Sequence, residues 1–209
     1  MGTSERRERE KAERRRQILR AARKLFWKNG FSGTTMPAIA ASAELSAGAL
    51  YLYFPGKHAL YAELLDEGFD LLEKRLAEAV GKGSSPRAAA EALVDAFLGF
   101  AREAPDYFDI LFFTLQEPGR EMRVLREGQD VMTRLARRQE ACKAVAAGVL
   151  RRARPGLEAA ELARTVDAVW SMLAGVVLYF LHDEPAAFAA VSARARDVIL
   201  RGILGKEGA

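Results

Sequence analysis

The sequence predicts an all-α protein of about nine helices, with a small N-terminal head and a larger body. Apolar residues recur at helical spacing through most of the chain, and the alternation typical of strands never persists. With 209 residues, half of them hydrophobic, the chain is long enough to bury a sizeable core. We expect a head at residues 1–56, a connecting helix at 57–80 and a body at 81–209.

Charge is distributed unevenly along the chain. Residues 1–57 contain 12 Lys and Arg against 5 Asp and Glu, a net charge of +7, whereas the remaining residues contain 20 against 23, a net charge of −3. A basic first quarter followed by a mildly acidic body is typical of a nucleic-acid-binding head on a body that does not bind nucleic acid.

The first helix carries a clear apolar stripe and a clear end. The stripe consists of Ile18, Leu19, Ala22, Leu25 and Phe26. Asn29-Gly30 predicts the end of the helix, and Phe31 is expected to return into the core. Residues 1–15 before the stripe are rich in arginine. They are either a solvated lead-in to the helix or an arm that reaches DNA phosphates or the minor groove.

Residues 34–57 have the pattern of two short helices joined by a tight turn. Thr35 is a good N-cap for the first helix, and Pro37 is tolerated in its first turn. A turn is expected at Glu44–Leu45, and Ser46 can cap the second helix. This arrangement is a helix-turn-helix, whose second helix is shaped to enter a major groove. The alternative is an ordinary amphipathic helix pair in an all-α core.

The second helix begins with small residues and continues with two tyrosines. Ala47, Gly48 and Ala49 would let its N-terminal end approach base edges closely, and the hydroxyls of Tyr51 and Tyr53 could reach phosphates. Residues of both short helices and the flanking positions are therefore expected to contact DNA. They are Thr34, Thr35, Met36, Ser46, Ala47, Gly48, Ala49, Tyr51, Leu52, Tyr53 and Lys57.

Two kinds of contact are expected within this set. Four residues should hold phosphates: Thr35, Tyr51, Tyr53 and Lys57. Three others should contribute to sequence preference together with DNA shape: Thr34, Met36 and Leu52.

Residues 16–64 resemble the DNA-binding domain of the TetR family of bacterial transcriptional regulators. The shared positions include Ile18-Leu19, Ala21-Ala22, Leu25-Phe26, Gly30-Phe31, Thr34-Thr35, Ile39-Ala40, Leu45-Ser46, Gly48, Leu50-Tyr51, Tyr53-Phe54 and Lys57. Glu44 stands where this family usually has glycine in the turn. The resemblance implies a homodimeric repressor whose body binds a small-molecule inducer that moves the connecting helix.

The body is predicted to contain five helices after a break at residues 81–86, which read GKGSSP. Their expected ranges are Pro86–Glu103, Pro105–Gln116, Gly119–Arg154, Glu158–His182 and Pro185–Leu204. The last two helices are apolar on more than one face, which predicts a four-helix dimer interface. A two-fold dimer would read two half-sites, so the expected partner is a palindromic double-stranded DNA operator.

Aromatic residues in the body suggest a ligand pocket between helices. The candidates are Phe97, Phe100, Tyr107, Phe108, Phe112, Trp170 and Tyr179. Few charged residues are expected to point inward there, so the hypothesis is a mainly apolar effector, fatty-acyl or aromatic. A ligand-independent dimeric DNA-binding protein is the alternative.

Other classes of protein are disfavoured. The chain has two histidines and none of the common catalytic or metal-binding motifs, so we expect no enzyme activity, cofactor or metal. The single Cys142 excludes an intramolecular disulfide and is expected to be a buried structural thiol. The charged N-terminus lacks a signal-peptide core, and the apolar run Val169–Leu181 is too short to cross a bilayer. We therefore expect a soluble cytoplasmic protein without membrane contact.

Overall fold

The structure is a computed structural model that describes the backbone of residues 3–116 and 129–204 and the side chains of residues 4–112 and 133–204. The described residues form nine helices and no strand, which confirms the all-α prediction. The helices are α1 Thr3–Gly33, α2 Met36–Ser42, α3 Ala47–Tyr53, α4 Lys57–Gly81, α5 Pro86–Glu103, α6 Pro105–Gln116, α7 Gln129–Ala153, α8 Ala159–Phe180 and α9 Pro185–Leu204.

The first helix breaks where the sequence predicts. Gly30 has φ 69° and ψ 174°, which are not helical, and Phe31 is buried immediately after it. Glycine adopts positive φ without the steric cost that a Cβ imposes. Residues 3–15 belong to the same helix, so the lead-in is helical, and residues 4–14 are exposed.

Side-chain caps begin both short helices, as predicted. Thr35 Oγ1 accepts a hydrogen bond from the Ala38 amide at 3.3 Å, and Ser46 Oγ accepts one from the Ala49 amide at 3.1 Å. These bonds satisfy amides that have no partner inside the first helical turn.

The turn between α2 and α3 is a Schellman motif. The Leu45 amide donates to Ala40 O at 2.9 Å, and the Glu44 amide donates to Ala41 O at 3.1 Å. Glu44 has φ 56°, and it is the only non-glycine residue with positive φ in the described part of the chain. An L-residue in this conformation costs roughly 1–2 kcal/mol. The chain therefore makes the turn expected for glycine and accepts that cost.

Polar side chains satisfy the carbonyls where the head helices end. The Lys57 ammonium donates to Phe31 O at 2.7 Å and to Thr34 O at 2.9 Å, and it lies 4.4 Å from the centroid of the Phe31 ring. Gln17 Nε2 donates to Ala43 O at 3.0 Å, at the end of α2. These bonds fix the ends of α1 and α2 relative to their neighbours.

The helices divide into two compact units. The head unit comprises the described residues of Met1–Glu67 and Asp109–Leu135, and the body unit those of Gly68–Phe108 and Ala136–Ala209. The division falls within α4, whereas the sequence placed the boundary at its end. Leu60 and Leu64 are buried in the head unit, and Leu72 and Leu76 are buried in the body unit. The predicted domain limits, one between residues 56 and 57 and the other between residues 80 and 81, stay predictions.

The body unit has a core of aromatic and aliphatic side chains. The last two helices pack on each other, and both pack on α5. Cys142 is fully buried, and desolvation raises the pKa of its thiol to about 12, so it matches the predicted structural thiol. The predicted start of the long helix at Gly119 lies outside the described residues. Leu71 on α4 is 44% exposed.

One described helix, α8, is long and apolar enough to cross a membrane by length and composition alone. Its most apolar stretch has a mean hydropathy of 1.3, and 33% of that stretch is buried. The apolar run Val169–Leu181 is too short by itself, but α8 also includes the turns that precede Val169. Core helices of soluble proteins meet the same criterion, so the length and composition of α8 do not show that it crosses a membrane.

We expect Lys57→Met to lower the free energy of unfolding by about 2 kcal/mol, because the Phe31 and Thr34 carbonyls lose a charged donor while the apolar stem is kept. Urea unfolding followed by circular dichroism would measure this change. Lys28→Met is the matched control, since Lys28 is exposed on α1. Equal unfolding midpoints for the two variants would contradict a capping role for Lys57.

Candidate nucleic-acid interface

Helix α3 has one side that is buried in the head and an outer face whose side chains are exposed. Leu50 is fully buried, whereas Leu52 is 86% exposed and Tyr51 is 51% exposed. Ala47 and Gly48 are exposed at the N-terminal end of the helix. A Cβ added to Gly48 would have no atom within 4 Å, so this end of α3 faces open space. Such a surface has the size and shape of a helix that enters a major groove.

Most of the predicted DNA-contact residues lie at or near this face. Thr35 and Ser46 are exposed, and Ala49 and Tyr53 are half-buried. The hydroxyls of Thr35 and Ser46 already accept hydrogen bonds as helix caps. A hydroxyl that accepts such a bond still carries its own hydrogen and can donate it to a phosphate oxygen.

Two predicted specificity residues are not available to DNA. Thr34 is 1% exposed, and its hydroxyl lies 2.8 Å from Gly30 O and 3.1 Å from Leu25 O. Met36 is 7% exposed and belongs to the core of the head. The expectation for both residues is corrected, because the chain turns inward at the start of α2. Sequence spacing alone does not show that turn.

Lys57 also differs from its expected role. It was predicted to hold a phosphate at the start of α4, but its ammonium donates to Phe31 O and Thr34 O. An ammonium has three hydrogens, so two bonds to carbonyls do not by themselves exclude a phosphate contact. The structure gives Lys57 a structural role that the sequence did not predict, and its phosphate contact stays a prediction.

Arg15, one of the arginines assigned to the N-terminal arm, supports α3 instead. It pairs with Glu63 (Nη2 to Oε2, 2.6 Å) and donates to Tyr53 O at 3.3 Å. Its guanidinium carbon lies 4.3 Å from the centroid of the Phe54 ring. Sequence reasoning missed this role. Arg15 lies one helical turn before Leu19, on the side of α1 that faces the core, and this spacing was the available signal.

Other arm residues form exposed ion pairs along α1. Arg6 pairs with Glu10, and Arg16 and Arg20 pair with Glu13. The hydrogen bonds from Arg16 and then Arg20 hold the pKa of Glu13 below its usual value. These pairs offset part of the positive charge of the arm, so the excess charge near α3 is smaller than the count of arginines implies.

Within the described residues, only two of the predicted ligand residues line one of the cavities of the body unit. Phe97 and Trp170, whose ring centroids are 5.3 Å apart, line a small apolar cavity in the body unit. A second small cavity shares Leu93, Val166 and Val169 with it, and each has a volume of about 10 Å³. A space of that size holds no more than one water molecule.

The other ligand candidates lie elsewhere. Phe100, Tyr107, Phe108 and Phe112 are buried, but none of them lines either cavity. Tyr179 is 81% exposed, so its expected place in a pocket is corrected. It lies on the outer side of α8, where periodicity could not separate a pocket wall from a surface.

Exposed apolar side chains mark the outer face of the last two helices. Met172 is 41% exposed, Tyr179 is 81% exposed and Val198 is 47% exposed. Ala168, Met172, Gly175 and Tyr179 follow helical spacing on α8, so they share one face. An apolar face of this kind on a soluble protein marks an interaction surface.

The described residues contain no group of three or more His, Cys, Asp or Glu side chains placed to hold a metal ion. The charged side chains of the body unit pair with one another at the surface instead, as Arg196 does with Asp95 at 2.7 Å and Lys143 with Asp167 at 2.7 Å.

Comparisons with known proteins agree with the geometry of the head. Residues 18–64 match the profile of bacterial regulatory proteins of the tetR family. The uncharacterized HTH-type transcriptional regulator YuxN of Bacillus subtilis (strain 168) is 38% identical over 77 residues, which cover 37% of this chain and 26% of that protein. The HTH-type transcriptional repressor KstR2 of Rhodococcus jostii (strain RHA1) is 37% identical over 84 residues, 40% of this chain and 41% of that one. The chain thus matches well under half the length of these relatives.

Solved structures share the fold over nearly the whole chain. FadR from Bacillus subtilis, in complex with stearoyl-CoA, has a TM-score of 0.72 at 15% identity and covers 89% of this chain and 97% of that one. AibR, in complex with isovaleryl coenzyme A and operator DNA, has a TM-score of 0.68 at 17% identity and covers 90% and 96%. Residues 18–64 therefore match the tetR family, and the chain shares the fold of these solved regulators. This agrees with the prediction of a regulator and not an enzyme.

Proposed function

We propose that this chain is a transcriptional repressor that binds a palindromic DNA operator as a homodimer and is released by a mainly apolar small molecule. The observation that carries the proposal is the match of residues 18–64 to the family, together with the exposed face of α3. The relative KstR2 is itself named a transcriptional repressor, which supports the direction of regulation.

In the proposed complex the N-terminal end of α3 enters the major groove. Ala47 and Gly48 lie against base edges, where an alanine methyl can contact a thymine methyl. Leu52 adds a second apolar contact, since it is the most exposed large apolar side chain of the described residues. Thr35, Ser46, Tyr51 and Tyr53 hold phosphates on either side. Because these side chains make few hydrogen bonds to bases, DNA shape supplies much of the sequence preference.

The dimer forms in this proposal through the outer faces of α8 and α9. Met172, Tyr179 and Val198 supply exposed apolar surface, and Gly175 allows close approach of a second helix. A homodimer would carry two copies of α3, one for each half-site of a palindrome. Cytoplasmic localisation is part of the same proposal, since the proposed partner is operator DNA.

The proposed effector is an acyl group, carried as a coenzyme A thioester or as a free acid. FadR and AibR were solved with stearoyl-CoA and isovaleryl coenzyme A, and the cavities beside Phe97 and Trp170 are apolar. An acyl chain bound beside Phe97 and Trp170 would have to separate α5, α7 and α8, because the two cavities there have volumes of only about 10 Å³ each. The alternative is a ligand-independent dimeric DNA-binding protein.

The experiment that tests the function is selection of bound duplexes from a random DNA pool, repeated with acyl-CoAs of increasing chain length. We expect a palindromic motif whose enrichment is lost with one range of chain lengths and kept with free coenzyme A. A palindrome that no acyl-CoA releases would support the ligand-independent alternative. An enriched motif without two-fold symmetry would contradict the dimeric mode.

Gly48→Glu should weaken operator binding by about 100-fold or more, because it places a carboxylate inside a major groove whose potential is negative. Folding should be unaffected, since a side chain at this position points into open space. Gly48→Gln is the matched control for size without charge. Fluorescence anisotropy with the selected duplex measures both. If Gly48→Glu binds like Gly48→Gln, the N-terminal end of α3 does not enter the groove.

The double variant Tyr179→Glu, Val198→Glu should be monomeric, since two charges per chain would be buried in the proposed interface. Light scattering coupled to size-exclusion chromatography would give the mass. Leu71→Glu is the control, because Leu71 is similarly apolar and 44% exposed but lies on α4. A dimer that survives the double variant would place the interface elsewhere.

A further inference from the structure

Four aromatic side chains and one carboxylate line a cavity in the head unit, away from the outer face of α3. The cavity has a volume of about 120 Å³. Its aromatic residues are Phe26, Trp27, Phe31 and Tyr61, and its carboxylate is Asp109. The backbone at Gly30 and the side chain of Ile110 complete the lining.

Three of the aromatic rings form a fixed wall. Phe26, Phe31 and Tyr61 are at most 4% exposed. The Tyr61 ring meets Phe26 and Phe31 edge to face, with centroids 5.5 and 5.2 Å away. The Tyr61 hydroxyl donates to Ile110 O at 2.7 Å, which holds the ring in place. A cavity with such walls keeps its shape before any ligand enters.

Trp27 and Asp109 form the rim. The Trp27 side chain is 51% exposed, although the other three aromatic side chains of the cavity are buried. Its indole Nε1 donates to Asp109 Oδ2 at 2.9 Å. This bond holds a large aromatic surface and a negative charge side by side at the entrance.

Aromatic faces beside a carboxylate are the surroundings that attract an organic cation. The Phe31 ring already has one such partner, since the Lys57 ammonium lies 4.4 Å from its centroid. A volume of 120 Å³ equals about four water molecules at ~30 Å³ each, which suits a group of four or five heavy atoms. A neutral apolar molecule would gain nothing from Asp109, and a carboxylate would be repelled by it.

We infer that this cavity binds the head group of a small organic cation, such as a quaternary ammonium, between the aromatic wall and Asp109. The inference goes beyond the proposed repressor function and does not rest on it, because binding here requires neither DNA nor the effector of the body. A cation bound in this cavity would add contacts to residues of α1, α4 and α6 within the head unit.

The test is isothermal titration of the full chain with tetramethylammonium and choline, and with 3,3-dimethylbutan-1-ol, the neutral analogue of choline. We expect the two cations to bind and the neutral analogue to bind on the order of tenfold more weakly or not at all. Equal affinity for choline and its neutral analogue would overturn the inference, and so would the absence of binding by both cations.

Two variants locate the site. Asp109→Asn keeps the shape and the acceptor for the Trp27 indole but removes the charge, so cation affinity should fall on the order of tenfold. Trp27→Leu should also weaken cation binding, since the exposed ring is lost.

Glu67→Gln is the matched control, because it removes an exposed negative charge from α4 outside the cavity lining. Urea midpoints would show that each variant is folded. Cation binding that survives in both site variants would place the cation elsewhere and sink the proposal.

Discussion

The head depends on how its helix ends are satisfied. Helices α2 and α3 have seven residues each, too few to be stable alone. Their positions are set by side chains that reach their last carbonyls: Gln17 at Ala43 and Arg15 at Tyr53. Lys57 does the same where α1 ends. Long polar side chains on the two longer helices therefore hold the short pair in place.

These caps also leave the outer face of α3 clear. Arg15, Gln17 and Lys57 bond backbone carbonyls in partly buried positions, so their bulk does not cover Ala47 and Gly48. The strained φ of Glu44 has the same consequence, since it lets the chain reverse between α2 and α3 without an added residue. The conformational free energy that Glu44 costs is offset by the helix caps and by the burial of Leu50 and Phe54.

The body is organised by burial of apolar surface and not by polar chemistry. Its charged residues pair at the surface, and its aromatic rings pack into a core with small cavities. Apolar surface remains only partly buried at Met172, Tyr179 and Val198. Close packing inside and an apolar face outside are properties that a dimerising helical bundle requires.

The sequence by itself determined the all-α class, most helix bounds, both N-caps and the stop at Gly30, because these depend on residues close together in the chain. It also showed the resemblance of residues 16–64 to the TetR family, because that resemblance rests on a local run of residues. Only the tertiary structure decided which way Thr34 and Met36 point, what the ammonium of Lys57 binds and whether Tyr179 is buried. Those outcomes depend on carbonyls and faces contributed by distant residues, and helical periodicity does not distinguish a face packed on the core from one left to solvent.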